Sequence, residues 1–137
     1  MKKALAIAGI LALSITPTAS FADHLEPQSN QLKPGGTLSH TNLSRRNLSD
    51  VDLSGARLIN SNLRGALLRN TNFTGAILNR ADFSNAIMNN TVFNGSNLSG
   101  ANLSGANLSG ITATNLGGCP SSLPRGWVCQ NRSLIRR

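Results

Sequence analysis

The sequence is poor in the residues on which most active sites depend. Its 137 residues include five acidic residues and two histidines. Neither His24 nor His40 has a Cys, Asp or Glu at the spacing that a tetrahedral metal site needs. No Ser, His and acid grouping stands out among the many serines. We therefore predict that the protein is not an enzyme and that it holds neither a metal nor a cofactor.

Aromatic residues are also scarce, and this bears on the basic charge. The chain has a formal net charge of +8, with no tyrosine and one tryptophan. A basic balance suits nucleic acid, an anionic envelope surface or simple solubility. A nucleic-acid groove calls for a basic stripe with aromatic rings on which bases stack. We therefore favour solvated charge and expect no nucleic-acid partner.

The one long apolar run lies at the N-terminus. Lys2 and Lys3 precede apolar residues 4–15, and Ser20-Phe21-Ala22 ends in a small residue, as in a secretory signal peptide cleaved after Ala22. Polar residues and a proline interrupt the run before it reaches the roughly 18 residues of a membrane anchor. We predict a signal peptide over residues 1–22 and a leader or linker over 23–35. The mature product is then secreted or periplasmic and not an integral membrane protein.

The rest of the chain is organised by a period of five. A bulky apolar residue, here called the centre, returns at every fifth position. The residue two before the centre is small in nearly every repeat, and Gly recurs two after it. The centres are Leu43, Leu48, Leu53, Leu58, Leu63, Leu68, Phe73, Leu78, Phe83, Met88, Phe93, Leu98, Leu103 and Leu108.

A period of five fits neither an α-helix nor a straight strand. At about 100° per residue a helix would rotate successive centres by roughly 140°, which leaves no apolar stripe. A strand alternates faces, so an odd period would send successive centres to opposite sides. The chain must instead turn a corner in every repeat, with the small residue and the centre inside. Gly or Asn takes the corner because both tolerate positive φ.

The unit Ala-Asn-Leu-Ser-Gly resembles the pentapeptide repeat family, whose pattern is Ala, Asp or Asn, Leu and two freer positions. The resemblance implies an all-β fold, a right-handed quadrilateral β-helix with four repeats per coil, in which residues twenty apart stack. Leu38 is in phase, so we predict a pentapeptide repeat solenoid of about four coils over residues 36–115. Arg46 and Val51, at inward small positions, and Ala113, as a centre, depart from the pattern near the ends.

Residues 116–137 break the phase and contain the only Trp and both cysteines. An open solenoid end exposes unpaired backbone and an apolar cross-section, so we predict that this tail is a C-terminal cap. Leu123, Trp127, Leu134 and Ile135 are expected to lie on the last coil, as short extended pieces about a turn at residues 130–131. Two cysteines in an exported chain predict one disulfide, Cys119–Cys129, and no Cys-x-x-Cys motif supports a catalytic redox role.

The outward slot before each centre is Asn or Asp in most repeats, and Asp52 and Asp82 are variants of that slot rather than an acid/base pair. Leu67 and Ile87 break the rule and stack twenty apart, and Val92 lies on the next side. These three form a candidate interaction patch, because each exposes apolar surface without gain to the core. A second candidate is a flat polar column of residues 54, 74, 94 and 114. Drift in an unselected surface explains either equally well.

These features predict a non-catalytic exported β-helix whose rigid wall binds an unidentified protein partner or a second copy of itself. The family resemblance offers an alternative, a DNA mimic that protects topoisomerase. That mimicry needs a long acidic rod, whereas this chain is short, basic and exported. An ice- or saccharide-binding β-helix is a further alternative, and only the flat polar column favours it.

Overall fold

The computed structural model describes residues 31–137. The predicted signal peptide, its cleavage after Ala22, His24 and the first part of the leader lie outside the described residues. None of the helices within residues 31–137 has the length and apolar character needed to cross a membrane.

The repeats form a β-helix in which each coil uses twenty residues. Parallel bridges join residues twenty apart, without a gap, from Thr37–Arg57 to Val92–Thr112. The Leu67 N–H donates to the Arg46 carbonyl in the preceding coil (2.9 Å), and the Leu68 N–H donates to the Ile87 carbonyl in the next (2.7 Å). Twenty residues at five per repeat give four sides, as the family resemblance implied.

Names for the sides and coils follow from this register. The coils comprise residues 36–55, 56–75, 76–95 and 96–115. Side 1 contains centres 38, 58, 78 and 98; side 2 contains 43, 63, 83 and 103; side 3 contains 48, 68, 88 and 108; and side 4 contains 53, 73, 93 and 113. The outward positions before and after each centre are called the leading and trailing slots.

The centres fill the interior. All of them are buried, and so are nearly all of the small residues two positions earlier. The Phe73 and Phe93 rings stack at 5.4 Å, and Phe83 meets both edge-on, which confirms the predicted stacking of Phe73 on Phe93. Each buried Leu or Phe contributes about 1.5–3 kcal/mol through removal of apolar surface from water.

The leading-slot Asn or Asp has a structural role in the corner. Each such residue accepts a hydrogen bond at Oδ1 from the backbone N–H two residues on, as in Asn47 to Ser49 (3.1 Å) and Asp82 to Ser84 (2.9 Å). The corner residue that follows has positive φ, as at Asp50 and Gly65. Asn or Asp in this slot therefore caps the turn, which explains why the slot favours them.

The first coil is closed by the segment that precedes it. Leu32 is buried in the core, and the Gln31 side chain accepts a hydrogen bond from the Thr37 N–H (3.0 Å). Gly36 is required here, because an added Cβ would overlap the Gln31 carbonyl oxygen. The residues just before the repeats thus pack on the end of the coil.

At the other end, the chain begins a partial fifth coil before it turns back. Gly118 and Ser122 form parallel bridges with Asn97 and Asn102. Two strands follow, β1 (Trp127–Gln130) and β2 (Ser133–Arg136), paired antiparallel. The Leu134 N–H donates to the Ala113 carbonyl (3.0 Å), which ties this hairpin to the last complete coil.

The hairpin covers the core with one face. Leu134 is buried, and Leu123, Trp127 and Cys129 pack against the interior. The structure contains the Cys119–Cys129 disulfide. Two details of the predicted tail are wrong. Ile135 is 41% exposed, because pairing of Cys129 with Leu134 turns the next pair outward. The turn falls at residues 131–132, one residue later than predicted.

Candidate interaction surface

The predicted apolar patch is centred on side 3. Leu67 and Ile87 are joined by a parallel bridge, and both are half-buried. Asn47 and Asn107 lie below and above them in the same leading-slot column, and each caps its own turn. Side 3 therefore presents two adjacent apolar side chains between two amide side chains.

Val92 lies around the corner from this pair. It occupies the leading slot of side 4 and forms bridges with Asn72 and Thr112. The trailing-slot and corner residues Asn89 and Asn90 separate it from Ile87 along the chain. The structure thus brings Leu67 and Ile87 together and places Val92 on the adjoining side.

Sequence reasoning overlooked apolar residues on side 1. Ile77 fills a leading slot between Arg57 and Asn97 and is half-buried. Ile59 occupies a trailing slot of the same side and is also half-buried. Ile77 meets the criterion by which Leu67 was chosen, because it is an apolar residue in a leading slot. Side 1 differs from side 3 because a charged residue, not a second apolar one, is paired with Ile77.

Basic residues surround the side 3 pair. Arg69 is exposed in the trailing slot of side 3, and Arg64 is exposed in that of side 2. Arg45 is exposed at the corner between those sides. Of the acidic residues within the described chain, Asp50 and Asp52 accept hydrogen bonds from the Asn70 and Asn72 amides (2.9 and 3.2 Å). Basic side chains therefore outnumber acidic ones on and beside side 3.

The threonines of the flat polar column on side 4 form hydrogen bonds within the protein. The Thr114 backbone N–H and hydroxyl both donate to Asn94 Oδ1 (3.1 Å each). The Thr74 hydroxyl donates to Asn72 Oδ1 (2.6 Å). These hydroxyl protons are directed at neighbouring side chains, so the column has fewer free donors for a saccharide or ice than its composition indicates.

Residues 31–137 contain no cluster of three or more His, Cys, Asp or Glu that could hold a metal ion. His40 is an exposed corner residue at φ 62°, and both cysteines are in the disulfide.

Comparison with known proteins agrees with the coil geometry. The family model for pentapeptide repeats matches residues 37–75 and 76–112 in eight copies. No curated protein sequence is significantly similar to the chain. The crystal structure of Rfr23, a pentapeptide repeat protein from the cyanobacterium Cyanothece 51142, is 30% identical with a TM-score of 0.63, over 66% of this chain and 61% of that one. The chain thus spans less than two thirds of the length of that relative.

Another similar structure is that of QnrB1, a plasmid-mediated fluoroquinolone resistance protein. It is 24% identical with a TM-score of 0.54, over 58% of this chain and 42% of that one. This likeness concerns the fold alone. The neighbours are right-handed quadrilateral β-helices, which confirms the predicted handedness and four-sided form. The chain belongs to the pentapeptide repeat family.

Proposed function

We propose that this chain is an exported, non-catalytic β-helix that binds a protein partner through side 3, with Leu67 and Ile87 at the centre of the contact. The observation that carries the proposal is their place in the leading slot. An Asn there would cap the turn, a hydrogen bond with a net worth of about 0.5–1.5 kcal/mol. Leu and Ile forgo that bond and leave apolar surface in water, which a partner would cover.

The charge around the pair favours an acidic partner over a second copy. Residues 31–137 contain eleven Lys and Arg but three Asp and no Glu. Two copies docked through side 3 would bring Arg45, Arg64 and Arg69 of each close together. An acidic protein would instead be attracted, and its association would slow as salt rises. Val92 would join the contact in a partner that reaches around the corner.

Topoisomerase protection by DNA mimicry has little support in this chain. Such mimicry requires a negative surface, and the described residues are strongly basic. Their likeness to the resistance protein QnrB1 is one of fold. Export rests on the N-terminal pattern of Lys2, Lys3 and the apolar run, and it would separate the protein from cytoplasmic DNA.

The test uses Leu67→Asn with Ile87→Asn, which restores the commoner slot residue at both positions. A partner is first captured by crosslinking to the mature protein in an envelope fraction, purified, and its affinity measured. We expect the double variant to fold with an equal or higher melting temperature and to bind at least about tenfold more weakly. Ile77→Asn on side 1 is the matched control. If the double variant binds the partner as tightly as the parent does, or if only the control loses affinity, side 3 is not the binding surface.

A further inference from the structure

The corner between sides 2 and 3 has an alternating column of side chains. Arg45, Gly65, Asn85 and Gly105 occupy it from the first coil to the fourth. Asn85 Oδ1 fills the space that a Cβ on Gly105 would need, so the Asn85 side chain is directed toward the fourth coil. At Gly65, the nearest atom to an added Cβ is Arg45 Cγ, at 3.5 Å. Apart from the Arg45 stem, no atom lies within 4 Å of that position, so the corner at Gly65 keeps a gap on the side of the third coil.

This gap is a surface groove of about 380 Å³. It is lined by Ser44, Arg45, Asn62, Arg64, Gly65 and Asn85. Arg45 belongs to the first coil, and Arg64 and Gly65 belong to the second. The lining contains no acidic residue. The described acid closest in register is Asp82, bridged to Asn62, and its Oδ1 accepts a hydrogen bond from the Ser84 N–H (2.9 Å).

The donors in the groove suit an oxyanion. Asn62 Oδ1 accepts the Arg64 backbone N–H (3.0 Å), so its amide nitrogen is the group left to donate. The Ser44 hydroxyl proton is directed to Asn42 Oδ1 (2.7 Å). Guanidinium groups bind carboxylates through paired, charge-assisted hydrogen bonds. Arg45 and Arg64 are therefore the recognition groups of this groove, and Asn62 is an auxiliary donor.

We infer that the groove binds a carboxylate side chain of an acidic protein segment. One residue separates Gly65 from Leu67, and one separates Asn85 from Ile87, so the groove and the apolar pair meet at one corner. A segment with Asp or Glu beside an apolar residue could place its carboxylate in the groove and its apolar side chain against Leu67 and Ile87. The assignment to protein rather than to a free anion rests on the proposed function of side 3. The groove itself rests on Gly65 and the two arginines.

The test measures binding of the peptide acetyl-Leu-Glu-Leu-Glu-amide to the mature protein by ¹H–¹⁵N NMR at low salt. We expect saturable shifts of the amides of Gly65, Leu67 and Asn85. The matched peptide with Gln in place of Glu should bind at least about tenfold more weakly. Equal binding of the two peptides would overturn the inference. So would stronger shifts at the same amides with inorganic sulfate, because they would indicate a site for free anions.

Gly65→Asn separates the groove from general charge attraction. Asn already occupies corner positions at φ 56–59°, at residues 60, 70, 85 and 90, so Asn at position 65 should fold while its side chain fills the groove. We expect at least about a tenfold loss of affinity for the Glu peptide. Gly75→Asn is the control, since its φ is +66° and an added Cβ there meets nothing within 4 Å. A folded Gly65→Asn protein that binds the Glu peptide as tightly as the parent does would show that the groove is not the binding site.

A second pair of variants is matched in charge. Arg45→Asn with Arg64→Gln removes one corner and one outward arginine at the groove. Arg80→Asn with Arg57→Gln removes the same kinds of residue from side 1. We expect the first pair alone to abolish peptide binding, and equal loss in both would overturn the site. Suppose that the parent protein fails to bind the peptide while the variant Leu67→Asn with Ile87→Asn still binds the partner more weakly. That result would contradict carboxylate binding in the groove and would support the proposed function of side 3.

Discussion

Leu67 and Leu68 are adjacent leucines that face opposite ways, and this provides a sharp test of the register. Leu68 is 0% exposed and lies between the centres Leu48 and Met88 of the neighbouring coils. Leu68→Ala would remove buried methyl groups and leave a cavity, so we expect a loss of about 2–5 kcal/mol in the free energy of unfolding. For a domain of this size, that lowers the melting temperature by roughly 10–20 °C.

Leu67→Ala is the control within the same peptide. Its side chain is outward and half-buried, so we expect a change of less than about 1 kcal/mol. Thermal and urea unfolding followed by circular dichroism would measure both variants. Leu68→Asp should abolish folding, because it buries a charge without a partner. Equal losses at positions 67 and 68, or a folded and cooperative Leu68→Asp protein, would show that the register is displaced by one residue.

Three further predictions concern the ends and the buried hydroxyls. Truncation after Asn115 removes the disulfide and the hairpin, and it should cause aggregation or end-to-end association by light scattering; a monomer with an unchanged melting temperature would contradict a capping role. The Thr91 hydroxyl donates to a carbonyl in the coil below (2.6 Å), whereas the buried Ser96 hydroxyl has no partner in the described structure. Thr91→Val should therefore cost about 1 kcal/mol, and Ser96→Ala should cost nothing or stabilise, with the reverse order arguing against this assignment. Cleavage after Ala22 should give a periplasmic or secreted form whose N-terminal sequence starts at residue 23, and an intact N-terminus on a cytoplasmic product would refute export.

The inward register was accessible from sequence because one constraint repeats without a miss. Each centre must be apolar, so the period of five identifies the buried residues. Period alone leaves the number of sides and the handedness open, because several corner geometries bury one residue in five. Those two properties came from the resemblance to a family with known structure.

The tail was less predictable because it does not repeat. Its hairpin turn has positive φ at both Asn131 and Arg132. Arg is a poor choice for that conformation on local grounds, but Arg132 Nε donates to the Leu116 carbonyl (2.8 Å). This tertiary contact holds the turn at a position that local sequence does not indicate. Ile135 faces outward because the adjacent pair in the hairpin, Cys129 and Leu134, faces the core.

The candidate surface was predictable only in part. Once the family resemblance gives four repeats per coil, columns of residues twenty apart can be written from the sequence, and they put Leu67 beneath Ile87. They do not say which way a corner side chain extends. The groove at Gly65 depends on Asn85 reaching toward Gly105, and this direction is set by packing between coils. In the sequence, the column at the corner between sides 2 and 3 is therefore only two glycines that alternate with two polar residues, and it does not indicate a groove.

The vertical register also determines how this molecule can change in length. Gain or loss of twenty residues returns every later residue to its own side. Insertion of a single five-residue repeat after the second coil would rotate the remainder by a quarter turn, moving Ile87 from side 3 to side 4 and Asn85 away from the corner of Gly65. A surface assembled from several coils thus restricts the repeat region to whole-coil changes in length, although each repeat alone tolerates duplication. The offset of one residue between Asn97 and its partner Gly118 marks where that rule ends and the cap begins.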